Sequence, residues 1–313
     1  MRPFDTLGGS WRMCKSSVAV IREHPKLLVF PVLIAIFAVL IAIFFITPIL
    51  LIPTGHSIFQ AGYWSALSHK VFQVDAAAGG PEHTNFVPVW WVNGYGILIY
   101  LVSMFAATFC NVAFSSQIMA ALNSEPISIR RGLLLAGQRV KSILVWSLFA
   151  GLVGVLIRQI ESRLGFVGRI ITGLIGLAWS VASVFAIPVI IREQPTANPI
   201  QILSHSAGTI KRTWGEVLTG FVGLRGLDML MLLGSVVLWV GCGFLALATS
   251  KNWLLLAFGV VWLLGLFAYS YLANVASQVY LCAAYIYASE GVIPGPYDRE
   301  MMDLPWKVKS AKG

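Results

Sequence analysis

Residues 111–158 read NVAFSSQIMAALNSEPISIRRGLLLAGQRVKSILVWSLFAGLVGVLIR. An apolar run closes at Leu122, a basic segment opens at Glu125-Pro126-Ile127 and runs through Arg139 and Lys141, and a second apolar run starts at Ile143. The order is membrane span, surface helix, membrane span. It returns about 73 positions later, a spacing at which internal repeats are to be suspected: Asn198-Pro199-Ile200 matches Glu125-Pro126-Ile127, and Arg212 falls on Arg139. Near the end of the chain Asn274-Val275-Ala276 echoes Asn111-Val112-Ala113, and Ser289-Glu290-Gly291 echoes Ser124-Glu125-Pro126.

Composition says what solvent this unit meets. Hydrophobic residues are 58% of 313 positions, charged residues 11%, and mean hydropathy is +0.80, where a soluble domain carries about 25% charged residues. The chain reads as an all-α, polytopic helical bundle, one membrane domain over 1–313. Its net charge of +9 is tested first against the bias of Lys and Arg toward cytoplasmic loops, which removes nucleic acid as the expected partner. Cys14, Cys110, Cys242 and Cys282 are isolated, so they read as small apolar fillers, with neither a disulfide framework nor a zinc site.

Residues 1–26 carry Arg2, Arg12, Lys15, Arg22 and Lys26 against Asp5 and Glu23. Trp11, Cys14, Val18 and Ile21 recur at helical spacing, predicting an amphipathic cytoplasmic helix in the bilayer interface. Residues 27–52 form the first span, too long for a signal-peptide core. An extracytoplasmic loop over 53–95 follows, with the aromatics Phe59, Tyr63, Trp64 and Phe72 resting on the membrane. His56, His69 and His83 within it match no metal-ligand spacing. The second span covers about 94–122. In the basic segment, Ile129, Leu133, Ala136, Val140 and Ile143 predict another interfacial stripe. Spans three and four cover 143–157 and 170–191. A second surface helix has Asn198 as N-cap, Pro199 at its first position and the stripe Ile200, Leu203, Ala207, Ile210, Trp214. The fifth span covers 217–248. The sixth helix, from Trp253 toward Ala288, exceeds one crossing and must tilt, kink near Asn274 or emerge. The tail, 291–313, is expected to be loose or draped on the surface.

Six spans thus follow, with interfacial helices before spans one, three and five. Sixteen of the 22 Lys and Arg fall in the regions this topology puts in the cytoplasm and five in outer loops, which places both termini inside the cytoplasmic membrane. Arg158, Arg163 and Arg169 on the outer side run against that bias, with Arg158 and Glu161 spaced to pair.

No HExxH, GxSxG, phosphate-binding loop or Cys/His constellation is present, so no catalytic residue, metal or cofactor is expected. Ser204-His205-Ser206 does not imply a nucleophile and base, because sequence neighbours on a helix point to different sides. Arg225 and Asp228 stand inside the fifth apolar run, where a charge costs several kcal/mol unless paired or hydrated. They fit a buried ion pair that fixes packing, a route for solute or protons, or a span that starts later. Asn111, Gln117, Asn274 and Gln278 are the other polar groups within spans, suited to interhelical hydrogen bonds. Gly151-x-x-Gly154, Gly173-x-x-Gly176 and Gly220-x-x-Gly223-x-x-Gly226 read as marks of close helix packing.

Arg158-Gln-Ile-Glu161, Gly165, Gly168-Arg169, Ala178-Trp179-Ser180, Pro188, Lys211-Arg212-Thr213-Trp214-Gly215-Glu216, the run Tyr280 to Gly291 and Pro296-Tyr297-Asp298 together resemble an uncharacterised family of bacterial and archaeal multi-pass membrane proteins. The likeness covers most of the chain outside 53–95. More loosely, the alternation of surface helix and span is similar to the membrane domain attached to some glycerophosphodiester phosphodiesterases. Neither resemblance transfers a catalytic residue.

The sequence therefore predicts a non-enzymatic membrane protein that binds lipid or a protein partner, itself included. Arg130, Arg131, Arg139, Lys141, Lys211 and Arg212 would meet anionic headgroups, at about 1 kcal/mol each. A transporter or channel for a small or amphiphilic solute, built on Arg225, Asp228 and the span asparagines, is the alternative. A polar cavity at mid-membrane depth would favour transport, and a filled core would favour the scaffold.

Overall fold

A computed structural model describes residues 3–55, 57, 59–72, 89–163, 166–193, 198–249 and 252–298; several side chains within these helices, those of 3–11 and 212–228 above all, lie outside the described set. Among the described residues all regular structure is helical. The order is α1 (Pro3–Glu23), a 3-10 turn (Pro25–Leu28), α2 (Val29–Leu50), α3 (Ala61–Phe72), α4 (Val89–Leu122), α5 (Ile129–Gln138), α6 (Val140–Arg163), α7 (Phe166–Ala182), α8 (Ala186–Arg192), α9 (Pro199–Thr249) and α10 (Asn252–Glu290). Among the described residues five stretches are long and apolar enough to cross a membrane: Pro25–Leu50, Asn93–Leu122, Val140–Glu161, Ile170–Arg192 and Leu256–Glu290. In the expected fifth span, the described residues supply the shorter apolar helix Met231–Phe244.

Burial is polarised. The core gathers Val20, Ile21, Leu27 and Phe30 with Val112–Leu122, Ile143, Phe185–Ile191, Ile202, Ile210, Val275–Ile286 and Tyr297. These are the ends of successive helices that meet at one end of the bundle. Away from it, Ile36–Ile46, Leu148–Ile160, Ile170–Leu177, Met229–Phe244 and Trp253–Leu272 expose large apolar side chains. Exposed apolar surface on that scale would aggregate a soluble protein; it is the surface that lipid covers.

Local chemistry explains how the packed end closes. Helix α4 stops in a Schellman arrangement: Glu125 N–H donates to Ala120 O (2.8 Å), Ser124 N–H to Ala121 O (3.0 Å), and Ser124 takes a left-handed φ of 59°. Helix α10 stops at Gly291, φ 69°, whose N–H reaches Tyr287 O. The echoing motifs Ser124-Glu125-Pro126 and Ser289-Glu290-Gly291 thus both fall at helix ends, with the left-handed residue two positions apart in the match, and Val112, Ala113, Val275 and Ala276 are all core residues. Between α7 and α8 the helix breaks, and the Phe185 N–H finds Ser206 Oγ of α9 at 3.0 Å. Trp179 of α7 stacks on Trp146 of α6 (6.0 Å, 12°).

Several expectations change. Buried residues on α1 are Met13, Ser16, Ser17, Val20 and Ile21, with Val18 exposed, so its apolar side serves packing on α9 and α10. On α9 the buried line is Ile202, Ser206, Ile210; of the expected stripe Ile210 is buried, Leu203 and Ala207 are half-buried, and Ile200 is exposed. The helix runs unbroken from Pro199 to Thr249, whereas α5 and α6 are separated at Arg139. Within 53–95, Tyr63 is buried and its hydroxyl donates to Leu50 O at the end of α2 (2.7 Å), while Phe59 and Trp64 are exposed. The tail is not wholly loose: Tyr297 is a core residue, its hydroxyl 2.8 Å from Ser17 Oγ; residues 299–313 lie outside the described set. Arg158 and Glu161 are exposed and form no ion pair with each other. Gly151 and Gly154 do admit Tyr100 of α4, whose hydroxyl donates to Gly151 O (3.1 Å), but Gly173 and Gly176 face open space.

Candidate functional site

The packed end carries the basic residues. Among those with described side chains, Arg12, Lys15, Arg22, Lys26, Arg130, Arg131, Lys141 and Lys211 are exposed. Their setting is sharpest on α5. Gly132 and Ala136 press against α4, so closely that a Cβ at Gly132 would stand 2.8 Å from the Ala113 carbonyl oxygen and 3.0 Å from Gln117 Cγ. The opposite side presents Arg130, Arg131, Leu133 and Leu134, all exposed. The expected stripe therefore splits: Ala136 and Ile143 are buried, while Leu133 and Val140 turn outward. Gln117, fully buried within α4, fixes the start of this helix by accepting the Ser128 N–H at 2.9 Å. Its amide works as a joint between two helices, as interhelical polar groups do in lipid.

Arg139 stands apart from the other headgroup candidates. It is half-buried, and its guanidinium donates to Glu193 O (2.6 Å) and Ile191 O (3.3 Å). It thereby satisfies carbonyls at the C-terminus of α8, where a cation is favoured. Next to it Arg192 pairs with Glu290 (3.3 Å), and the His205 ring bonds the Glu193 carboxylate. Ser206 is buried on Phe185 N–H, so Ser204-His205-Ser206 is divided between two structural tasks. Arg225, Asp228 and Arg212 are on α9, with side chains outside the described set, as is the residue His56 and the side chain of His69; His83 also falls outside. Among the described residues no three His, Cys, Asp or Glu come together.

The remaining span residues separate by environment. Asn111 and Gln278 are half-buried, whereas Asn274 is exposed on α10. It lines a cavity of about 310 Å³ between α9 and α10, with Leu232, Leu266, Tyr269, Ser270 and Ser277. The sequence reading picked out Asn274 alone; the spacing of Tyr269 and Ser270, Asn274 and Ser277 along one helical face is the signal that would have found the rest.

Residues 93–295 match the family of unknown function DUF6159. The chain belongs to that family. No curated protein and no solved structure matches it. The DUF6159 match takes in α5, the Arg139 joint and the Asn274 cavity, and leaves α1, α2 and α3 outside it. Of the sequence motifs that resembled a family of multi-pass membrane proteins, those from Arg158 to Gly291 fall within the DUF6159 region, while Pro296-Tyr297-Asp298 and the first 52 residues lie outside it.

Proposed function

We propose that this DUF6159 protein is a non-enzymatic scaffold of the cytoplasmic membrane whose packed end rests on anionic headgroups. The observation that carries this is the outer side of α5, where Arg130 and Arg131 flank exposed Leu133 and Leu134. A helix fixed to protein on one side and offering both cations and leucines on the other suits the headgroup boundary, where apolar side chains enter the acyl region and cations meet phosphate. Lys141 and Lys211, also exposed, extend the same basic surface. Headgroup contact by α1 and α9 then comes mainly from their charged sides, since most of their apolar lines are used in packing and, of the described residues in those stripes, Val18 and Ile200 are the exposed ones.

Six crossings complete the topology. Helix α1 and Tyr297 pack together, so the number of crossings between them is even; the five long spans need one more, and α9 supplies it. The Lys and Arg bias puts that packed end in the cytoplasm. Passage of a small or amphiphilic solute would call for a polar cavity at mid-membrane depth; among the described residues the polar cavity is the one at Asn274. Partners beyond lipid, a second copy included, would meet the same surface.

The test is lipid retention by the full chain in gentle detergent, read by native mass spectrometry against anionic and zwitterionic phospholipids. Wild type should retain anionic lipid preferentially, with the preference falling as salt rises, and the double substitution Arg130→Gln, Arg131→Gln should lower it about thirtyfold, near 1 kcal/mol per charge removed. Equal retention of both lipid classes by wild type would overturn the proposal.

A further inference from the structure

The cavity between α9 and α10 has a depth that can be read from the helix that forms most of it. Trp253, exposed at the start of α10, is the kind of residue that marks a membrane boundary. From there to Leu272 the helix exposes Leu256, Val260, Val261, Leu263, Leu264 and Phe267. From Val275 to Ile286 it is core. Asn274 is the hinge between those regimes, and 21 residues of α helix separate it from Trp253, about 32 Å at 1.5 Å per residue. The hydrocarbon layer is about 30 Å thick. If Trp253 lies at one boundary, Asn274 comes at the other, on the side of the packed end. That is the level at which glycerolipids hold their ester groups.

Chemistry at this level is specific. Of the seven described residues lining the cavity, Tyr269, Ser270, Asn274 and Ser277 carry a hydroxyl or an amide, and none of the seven is charged. Helical serines commonly return their hydroxyl to a carbonyl one turn back, and Ser235 on α9 does so. Among the described residues Ser270, Asn274 and Ser277 make no such bond. An amide offers two N–H donors and a hydroxyl one, and leaving them unmet beside hydrocarbon is costly. Leu232 and Leu266 supply the apolar wall that continues toward the acyl chains. At about 310 Å³ the space is at the small end of ligand sites, suited to one polar unit of a larger molecule.

We propose that this cavity is a lipid site that reads the ester carbonyls of a diacyl glycerolipid, with Asn274, Ser270 and Ser277 donating and the acyl chains lying along Leu232 and Leu266. It is independent of the basic surface of α5, because the ester carbonyl carries no net charge and is common to anionic and zwitterionic lipids.

The experiment compares two phosphatidylcholines of equal chain length, one with ester-linked and one with ether-linked chains. The headgroup is the same and only the carbonyl acceptors differ. The full chain is incorporated into nanodiscs holding the two in equal amounts, and retained lipid is identified by native mass spectrometry after release. Wild type should keep the ester-linked lipid by about three- to tenfold, the range of one to two net hydrogen bonds. Asn274→Leu should bring the ratio close to one. The wild-type comparison needs no variant to fold, so it stands by itself: equal retention of the two lipids would overturn the proposal, and so would a preference that survives Asn274→Leu together with Ser270→Ala and Ser277→Ala.

Discussion

Ser124 occupies a backbone conformation that favours glycine, with φ at 59°. Left-handed backbone costs an L-residue about 1 kcal/mol, and the two Schellman bonds at the end of α4 use backbone atoms only. Ser124→Gly should therefore raise the melting temperature of the detergent-solubilised protein, by a stability gain of about 1 kcal/mol; a fall would show that the hydroxyl matters more than the backbone. Tyr297 makes a different prediction. Burial pushes its phenol above the ordinary value, with the Ser17 hydrogen bond pulling partly back. A group whose pKa is raised by folding contributes its stability in full below the unfolded value, here about 10, and loses it as pH climbs toward the folded one. Docking of residues 291–298 should accordingly be insensitive to pH between about 7 and 9 and weaken progressively above about 10. Hydrogen exchange over that segment measures it, and Tyr297→Phe should abolish the alkaline step.

At the scale of elements, the joint between α5, α6 and α8 rests on Arg139. Removing its guanidinium strands two carbonyls that it now satisfies, at a cost of about 1–3 kcal/mol. Arg139→Gln should lower thermal stability by that amount while Arg130→Gln stays within about 0.5 kcal/mol of wild type; equal effects would return Arg139 to the exposed basic surface. The elements were legible in the sequence to the extent that period and composition decide them. Pro126 and Pro199 marked the neighbourhood of helix starts, and the apolar runs gave the spans. The faces were less legible. Leu133 and Ala136 are both apolar and one helical turn apart, yet one is exposed and the other buried, because a protein neighbour and a lipid neighbour ask for the same hydropathy. What separates them is size: Gly132 and Ala136 permit the close approach of α4, and leucine does not. Ser206, Ser17 and Tyr297 were missed for a related reason. A hydroxyl that bonds a partner 21 or 280 residues away leaves no periodic trace.

Across the whole molecule, the even number of crossings can be checked without high resolution. Reporter fusions at residue 75 and at the C-terminus should report opposite sides of the membrane, outside and inside, as the distribution of Lys and Arg requires; the same side for both would refute six spans. Arg225 and Asp228, one turn apart within α9, test the bundle from within. Each stands in an apolar run of sequence, so Arg225→Ala or Asp228→Ala should lower the folded yield, and the double substitution should recover part of it. Normal yield for both single variants would place them in contact with water. The candidate site was only partly legible for a reason of scale: basic residues are visible one at a time, but the depth of Asn274 emerges only when the exposed and buried lengths of α10 are measured against a bilayer.

Ser17 and Tyr297 touch across 280 positions of chain. During synthesis at about 5–20 residues per second, the first helix therefore waits roughly 15–55 seconds for the residue that completes its packing. Until α9 and α10 follow, the side of α1 that ends in the core has only the membrane or a chaperone to cover it, and until the tail follows Ser17 lacks its last partner. A transcript cut short after the last span would release a protein with every crossing in place and Ser17 still lacking the tail's hydroxyl, so that a membrane protease could tell finished chains from unfinished ones by the state of their beginning.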